Sequence, residues 1–341
     1  MITRRYAAAA IAIVAVVAAA RAADTPAKNR TTPWISSSNA SYVSLPRIVK
    51  EYAHDSGAFT QGLVFGADGA LYESDGLYRK SRVRRVELDT GKTLAKNLNA
   101  NEHFGEGLAA IGEKLYQLTW REGAMHEYDT KTLRRLSTRA QPFRGEGWGL
   151  AYDETTGLAY GTDGTHRVHV LRPAHNWAAL HVLRVKDERL GGTLIEGLNE
   201  LEMVEGELWA NVLPLQYHKA SPCVGLRRPH MRRLRRHYLN TQVARIDINT
   251  GTVLGWVDLS ALRDKQSSRV RRQPHHFVTN GIAYRRAPGR PRRRHRASSS
   301  CRASLRPPPP LNRRCLAWPS AARASTAARW LCGATPSRPK Q

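Results

Sequence analysis

Cysteine is scarce, and none of it lies where a folded body would use it. Of the 4 cysteines in 341 residues, Cys301, Cys315 and Cys332 fall in an Arg-, Pro- and Ser-rich C-terminal stretch and Cys223 in a basic segment. No CxxC or Cys/His spacing suited to zinc occurs, so a zinc scaffold is excluded and the core must rest on apolar packing. Acidic residues are missing from two places. After Asp264 there is no Asp or Glu against 19 Lys and Arg, and residues 214–239 hold 7 more bases without an acid. Setting those aside leaves 28 bases against 28 acids, so the formal net charge of +26 belongs to two segments and not to the body. Neither segment interleaves aromatic and basic residues on a periodic face, and specific nucleic-acid binding is not expected. The stretch 285–341 reads as a disordered tail.

Long apolar runs are also lacking, with one exception. YAAAAIAIVAVVAAARAA follows MITRR, ends in small residues around Ala20, Arg21 and Ala22, and is too short for a comfortable membrane span. Residues 1–23 therefore read as a signal peptide and place the protein in the secretory pathway or outside the cell; membrane attachment is expected only if this segment stays as an uncleaved anchor. Asn29 and Asn39 stand in glycosylation sequons, which fits export. Residues 24–45 read as a linker.

What is present is a repeat. AFTQGLVF from Ala58, HFGEGLAA from His103, RGEGWGLAY from Arg144, GLNELEMV from Gly197 and VTNGIAY from Val278 each set a polar pair before an apolar alternating run. Counted from Gln61 through Glu106, Glu146 and Asn199 to Asn280 the steps are 45, 40, 53 and 81 residues, the last shrinking to about 55 without the basic segment. Two strands around a tight turn follow most corners, then a third strand and a returning one after an Asp/Thr-Gly-type turn, as in VELDTGKTL and IDINTGTVL. Four short antiparallel strands at this period describe β-propeller blades. The expected fold is all-β, a five-bladed β-propeller over residues 46–284 with a basic insertion at 214–239 and an incomplete last blade. Inner-strand corners converge on one mouth of the channel, so Glu106, set between Gly105 and Gly107, is expected to face it.

The five corners in this order, with LYQLTW after FGEGL and WANV after LNELE, resemble the propeller-type glutaminyl cyclases of plants and bacteria. The resemblance runs from about Tyr52 to Tyr284, the basic insertion excepted. It implies a glutaminyl-peptide cyclotransferase that turns the N-terminal glutamine of peptides or proteins into pyroglutamate and ammonia. It implies Glu106 as general acid and base, Phe59, Phe104, Trp120 and Trp148 as the apolar wall, and Gln61 and Asn199 as partners of the carboxamide, Asn199 for its oxyanion. No catalytic metal or cofactor is implied; a structural calcium in the channel, which some members of the family carry, is the one metal the resemblance brings in, and a monomer is expected. Glu146, Glu200 and Glu202 could serve the site or pair with blade amides, and His103 is expected to be exposed.

Two departures stand out. After WANV the resemblance predicts a pocket tryptophan, but Leu213 and Pro214 lead into the basic insertion. After NGIAY it predicts a final strand and a lysine near the site, yet RRAPGRPRRRHRA follows, as a shifted reading frame would produce. A catalytically impaired propeller that binds peptides or polyanions is the competing expectation.

Overall fold

The computed structural model describes residues 11–16, for the backbone alone, with 42–213, 241–264 and 279–285. These lie in one unit, Met1–Arg292; the other, Arg293–Gln341, falls outside the described residues, as do the basic insertion, all four cysteines and residues 24–41.

Strand β1, Ile11–Val16, lies in the apolar run read as a signal, and β2, Val43–Ser44, lies in the stretch read as linker. The first blade holds β3, Thr60–Phe65, β4, Leu71–Asp75, β5, Arg82–Val86, and β6, Thr93–Leu98. The second holds β7, Gly105–Ile111, β8, Lys114–Thr119, β9, Ala124–Asp129, and β10, Arg135–Ala140. The third is β11, Leu150–Asp153, β12, Leu158–Thr162, β13, Arg167–Arg172, and β14, Ala178–Arg184. A small hairpin follows, β15, Lys186–Asp187, with β16, Thr193–Leu194. The fourth blade is β17, Leu198–Val204, β18, Glu207–Val212, β19, Gln242–Asp247, and β20, Val253–Asp258, and β2 runs parallel along the outer edge of β20. Residues 43–44 are thus part of a blade, covering backbone that an outer strand would leave unpaired. Last comes β21, Thr279–Arg285, parallel to β1.

Among the described residues four blades are complete, where the repeat predicts five. In each the strands pair antiparallel in chain order from the centre outward. Burial follows that order: β3 and β17 are almost wholly buried, while β10 and β14 are mostly exposed. Apolar side chains between neighbouring blades form the core, as where Tyr72, Val83, Leu108 and Tyr128 join the first two.

The inner strands close a ring: β3 packs on β7, β7 on β11, β11 on β17, β17 on β21, and β21 on β3. Glycine makes the close approach possible. A Cβ on Gly62 would meet Leu108 N at 2.6 Å, one on Gly107 would meet Leu150 N at 2.5 Å, and one on Gly149 would meet Asn199 O at 2.1 Å. The fourth corner has Glu200 at the equivalent step. Its fully buried carboxylate accepts from Leu63 N (3.3 Å) and Ile282 N (2.8 Å), bridging the first inner strand and the last.

Candidate active site

Pairing shifts at three of the corners: between Thr60 and Gly62, between Gly105 and Leu108, and between Leu198 and Leu201. Such irregularities bend a strand and re-aim the side chain inside them. They contain Gln61, Glu106 and Asn199, and these three are nearly or fully buried.

Glu106 is 5% exposed, and among the described residues Gln61 Nε2 donates to its Oε1 at 3.4 Å. Burial, then the charges of Glu146 and Glu122, push its carboxyl well above the usual range. An aromatic wall stands beside this corner. Phe104 meets Phe59 edge-on at 6.2 Å, Tyr78 at 5.4 Å and Trp120 at 5.4 Å between ring centroids. Gly76 makes room for it, since a Cβ there would lie 2.3 Å from the Phe104 ring.

Glu146 ties the two tryptophans together. Its Oε2 accepts from Trp120 Nε1 at 2.7 Å and Trp148 Nε1 at 3.0 Å, and its Oε1 from Arg121 Nε at 2.9 Å. The Arg121 guanidinium also lies 3.7 Å from the Trp120 ring centre. Glu122 accepts from Phe104 N at 3.3 Å and the Tyr78 hydroxyl at 3.0 Å, and burial with that carboxylate raises Tyr78 to about 12. This corner therefore gathers three carboxyl groups, Glu106 buried and Glu122 and Glu146 half-buried.

The structure thus brings Phe59, Gln61, Phe104, Glu106, Trp120 and Trp148 into one connected group. Asn199 sits beside it through the Gly149 approach, 2% exposed, with its Oδ1 unpartnered among the described residues. Glu200 and Glu202 take the other course left open: Glu202 accepts from Tyr284 N at 2.9 Å, and burial raises it to about 8. His103 is half-buried, not exposed. Its Nδ1 lies 2.8 Å from Nε2 of His126, a buried ring that desolvation lowers to about 4, so it is turned into the second blade. Residues that sequence reasoning left out are Tyr78, Arg121, Glu122 and Asn280 in a site role; the first three lie on turns beyond any strand period.

Among the described residues no three His, Cys, Asp or Glu side chains stand together as a metal site. Each oxygen of Glu200 accepts from one backbone amide. A cleft of about 280 Å³ bordered by Phe65, Leu71, Val86 and Arg285 lies at the other end of β3 from Gln61 and is unrelated to this corner.

Known proteins match this chain in sequence and in fold. The family described as glutamine cyclotransferase matches residues 10–218 and 235–290. A glutaminyl-peptide cyclotransferase of Arabidopsis thaliana is 36% identical over 245 residues, 70% of this chain and 63% of the relative, so the match spans less than two thirds of that protein. The crystal structure of Myxococcus xanthus glutaminyl cyclase superposes with a TM-score of 0.54 at 31% identity, covering 72% of this chain and 89% of that one. With its sequence matched over most of its length and its blades superposed on a solved member, this chain belongs to the glutamine cyclotransferase family.

Proposed function

We propose that this protein is a glutaminyl-peptide cyclotransferase acting on peptides or proteins that begin with glutamine, with Glu106 as its general acid and base. The observation that carries this is a carboxyl group buried at a strand irregularity, lifted well above its ordinary range, beside an aromatic wall. The amine nitrogen must bond to the side-chain carboxamide carbon, and the bond from that carbon to the amide nitrogen must break. A proton leaves the attacking amine and one reaches the departing ammonia.

An α-amine titrates at about 7.7–8.0. A carboxyl group raised well above its ordinary range is a stronger base than an unperturbed one and can take the proton and return it. Phe59, Phe104, Trp120 and Trp148 exclude water and hold the glutamine side chain in a five-membered attack geometry. Gln61 and Asn199 bind the carboxamide, Asn199 facing the developing oxyanion. The charges of Glu146 and Glu122 keep Glu106 protonatable and attract the substrate ammonium.

Two finer readings accompany this. The inner ring is that of a five-bladed propeller, β21 being the innermost strand of the fifth blade; five closing inner strands support it. Residues 1–23 are an export signal, tested by N-terminal sequencing of the secreted protein. For the activity, the purified full chain is incubated with a Gln-initiated dipeptide and ammonia is followed, with Glu106→Gln as control. Ammonia from the wild type and a loss of about 100-fold or more in the variant are expected. A folded, silent wild type favours the impaired binding propeller instead.

A further inference from the structure

Strand β21, paired with β1 and read above as the innermost strand of a fifth blade, carries a buried amide that reaches into the site. Asn280 is fully buried. Its Nδ2 donates to the Thr60 carbonyl at 3.2 Å and to Gln61 Oε1 at 2.6 Å. The Thr60 carbonyl can only accept, which fixes the Asn280 amide group with its NH₂ toward β3. Gln61 must then present its oxygen to Asn280, so its NH₂ faces Glu106, where it donates at 3.4 Å. Turned over, Gln61 would set NH₂ against NH₂ and aim a carbonyl at a carboxylate. The chain of amides has one workable polarity, and a backbone carbonyl sets it.

We propose that Asn280 is a positioning residue for the reaction: acting through Gln61, it holds an N–H donor on Glu106 and so fixes the orientation and basicity of that carboxyl group. This rests on the reading of Glu106 given above. In the Glu106 carboxylate form the donated N–H is a favourable contact, and in the substrate complex a 3.4 Å contact has room to tighten. The charged and titratable groups facing Glu106 are Glu122 and Glu146, with Tyr78 and Arg121 behind them. Among the described residues none of these hydrogen-bonds Asn280 or Gln61, so the amide chain and the anionic rim act on Glu106 separately.

The test is a double-variant cycle on the full chain with Asn280→Ala and Gln61→Ala, reading kcat, KM and the pH dependence of kcat/KM, with thermal melting as the check on folding. Each single variant is expected to lower kcat about tenfold, the scale of one hydrogen bond to a charged group, and to move the enzyme-borne limb to higher pH because a donor to the carboxylate is gone. The double variant is expected to match the worse single, in rate and in limb position. Multiplying effects, or an unmoved limb in Gln61→Ala, would overturn the relay while leaving the Glu106 assignment standing. Should Asn280→Ala not fold, the Gln61→Ala limb alone decides. A wild type that cyclises nothing, or a Glu106→Gln variant as active as wild type, removes the reading of the site and the relay together.

Discussion

Replacing Glu146 by Gln removes one negative charge from the rim while keeping the shape of the side chain. In the parent protein that charge raises the Glu106 carboxyl, second only to burial. A neighbouring charge commonly moves a pKa by about 1–3 units. Glu146 is 34% exposed at its side chain and paired with Arg121, itself 60% exposed, so solvent and the guanidinium place its effect at the low end. The expected displacement is about one unit toward lower pH, or about 1.4 kcal/mol of relative stabilisation of the carboxylate. The assay is kcat/KM for ammonia release across pH at low salt. The limb belonging to Glu106 is separated from that of the substrate amine by repeating it with a peptide whose amine has a different pKa. Arg121→Ala unmasks Glu146 and should shift the same limb the opposite way. Raised salt should shift the wild-type limb downward and the Glu146→Gln limb by less, since the Glu122 charge remains. The substituted amide oxygen can still accept from both indoles, which converge on Oε2, while its NH₂ cannot accept from Arg121 Nε, so KM should change little. An enzyme limb that stays in place at low salt, or moves upward, refutes the electrostatic role of Glu146.

Other outcomes follow from packing and charge. Gly149→Ala forces a Cβ to 2.1 Å from Asn199 O, backbone that cannot yield without opening the seam between β11 and β17; a loss of about 2–4 kcal/mol in urea unfolding is expected, and an unchanged midpoint would show that the seam is soft. Glu73 is buried against Arg84 at 2.6 Å with His54 and Thr60 on its other side, and although burial raises it, these partners bring it down to about 2. A folded pKa below the unfolded one stabilises above the unfolded value, near 4.5, and that stability is lost as pH falls through about 2. Glu73→Gln should therefore cost about 3–5 kcal/mol at pH 7 and flatten the acid limb of the stability profile; a variant with the wild-type acid limb would assign that limb to other carboxylates.

How far the sequence alone reaches is clear from particular residues. The corners at Gln61, Glu106 and Asn199 were legible because a polar pair before an alternating run recurs at blade spacing, and a period survives in one dimension. Leu133 illustrates what does not. It occupies a left-handed position, φ 53, equivalent to Gly91 and Gly251 in sister blades, and is held there by burial in the seam between blades, which no turn rule foresees. The roles of Glu146, Glu122 and Asn280 depend on partners 25, 18 and 219 positions away in sequence, on turns and across the ring. The linker at residues 43–44 became a strand because an outer edge needed covering, a need set by β20 and invisible near Val43.

The meeting of β21 with β3 has a consequence for timing. The first inner strand is synthesised early and its partner more than two hundred residues later, so the contact of Gln61 with Asn280 cannot form until residue 280 has been made. Contacts this distant are slow to form. On the proposed assignment, the amide chain to Glu106 is complete only once both ends of the ring have been made.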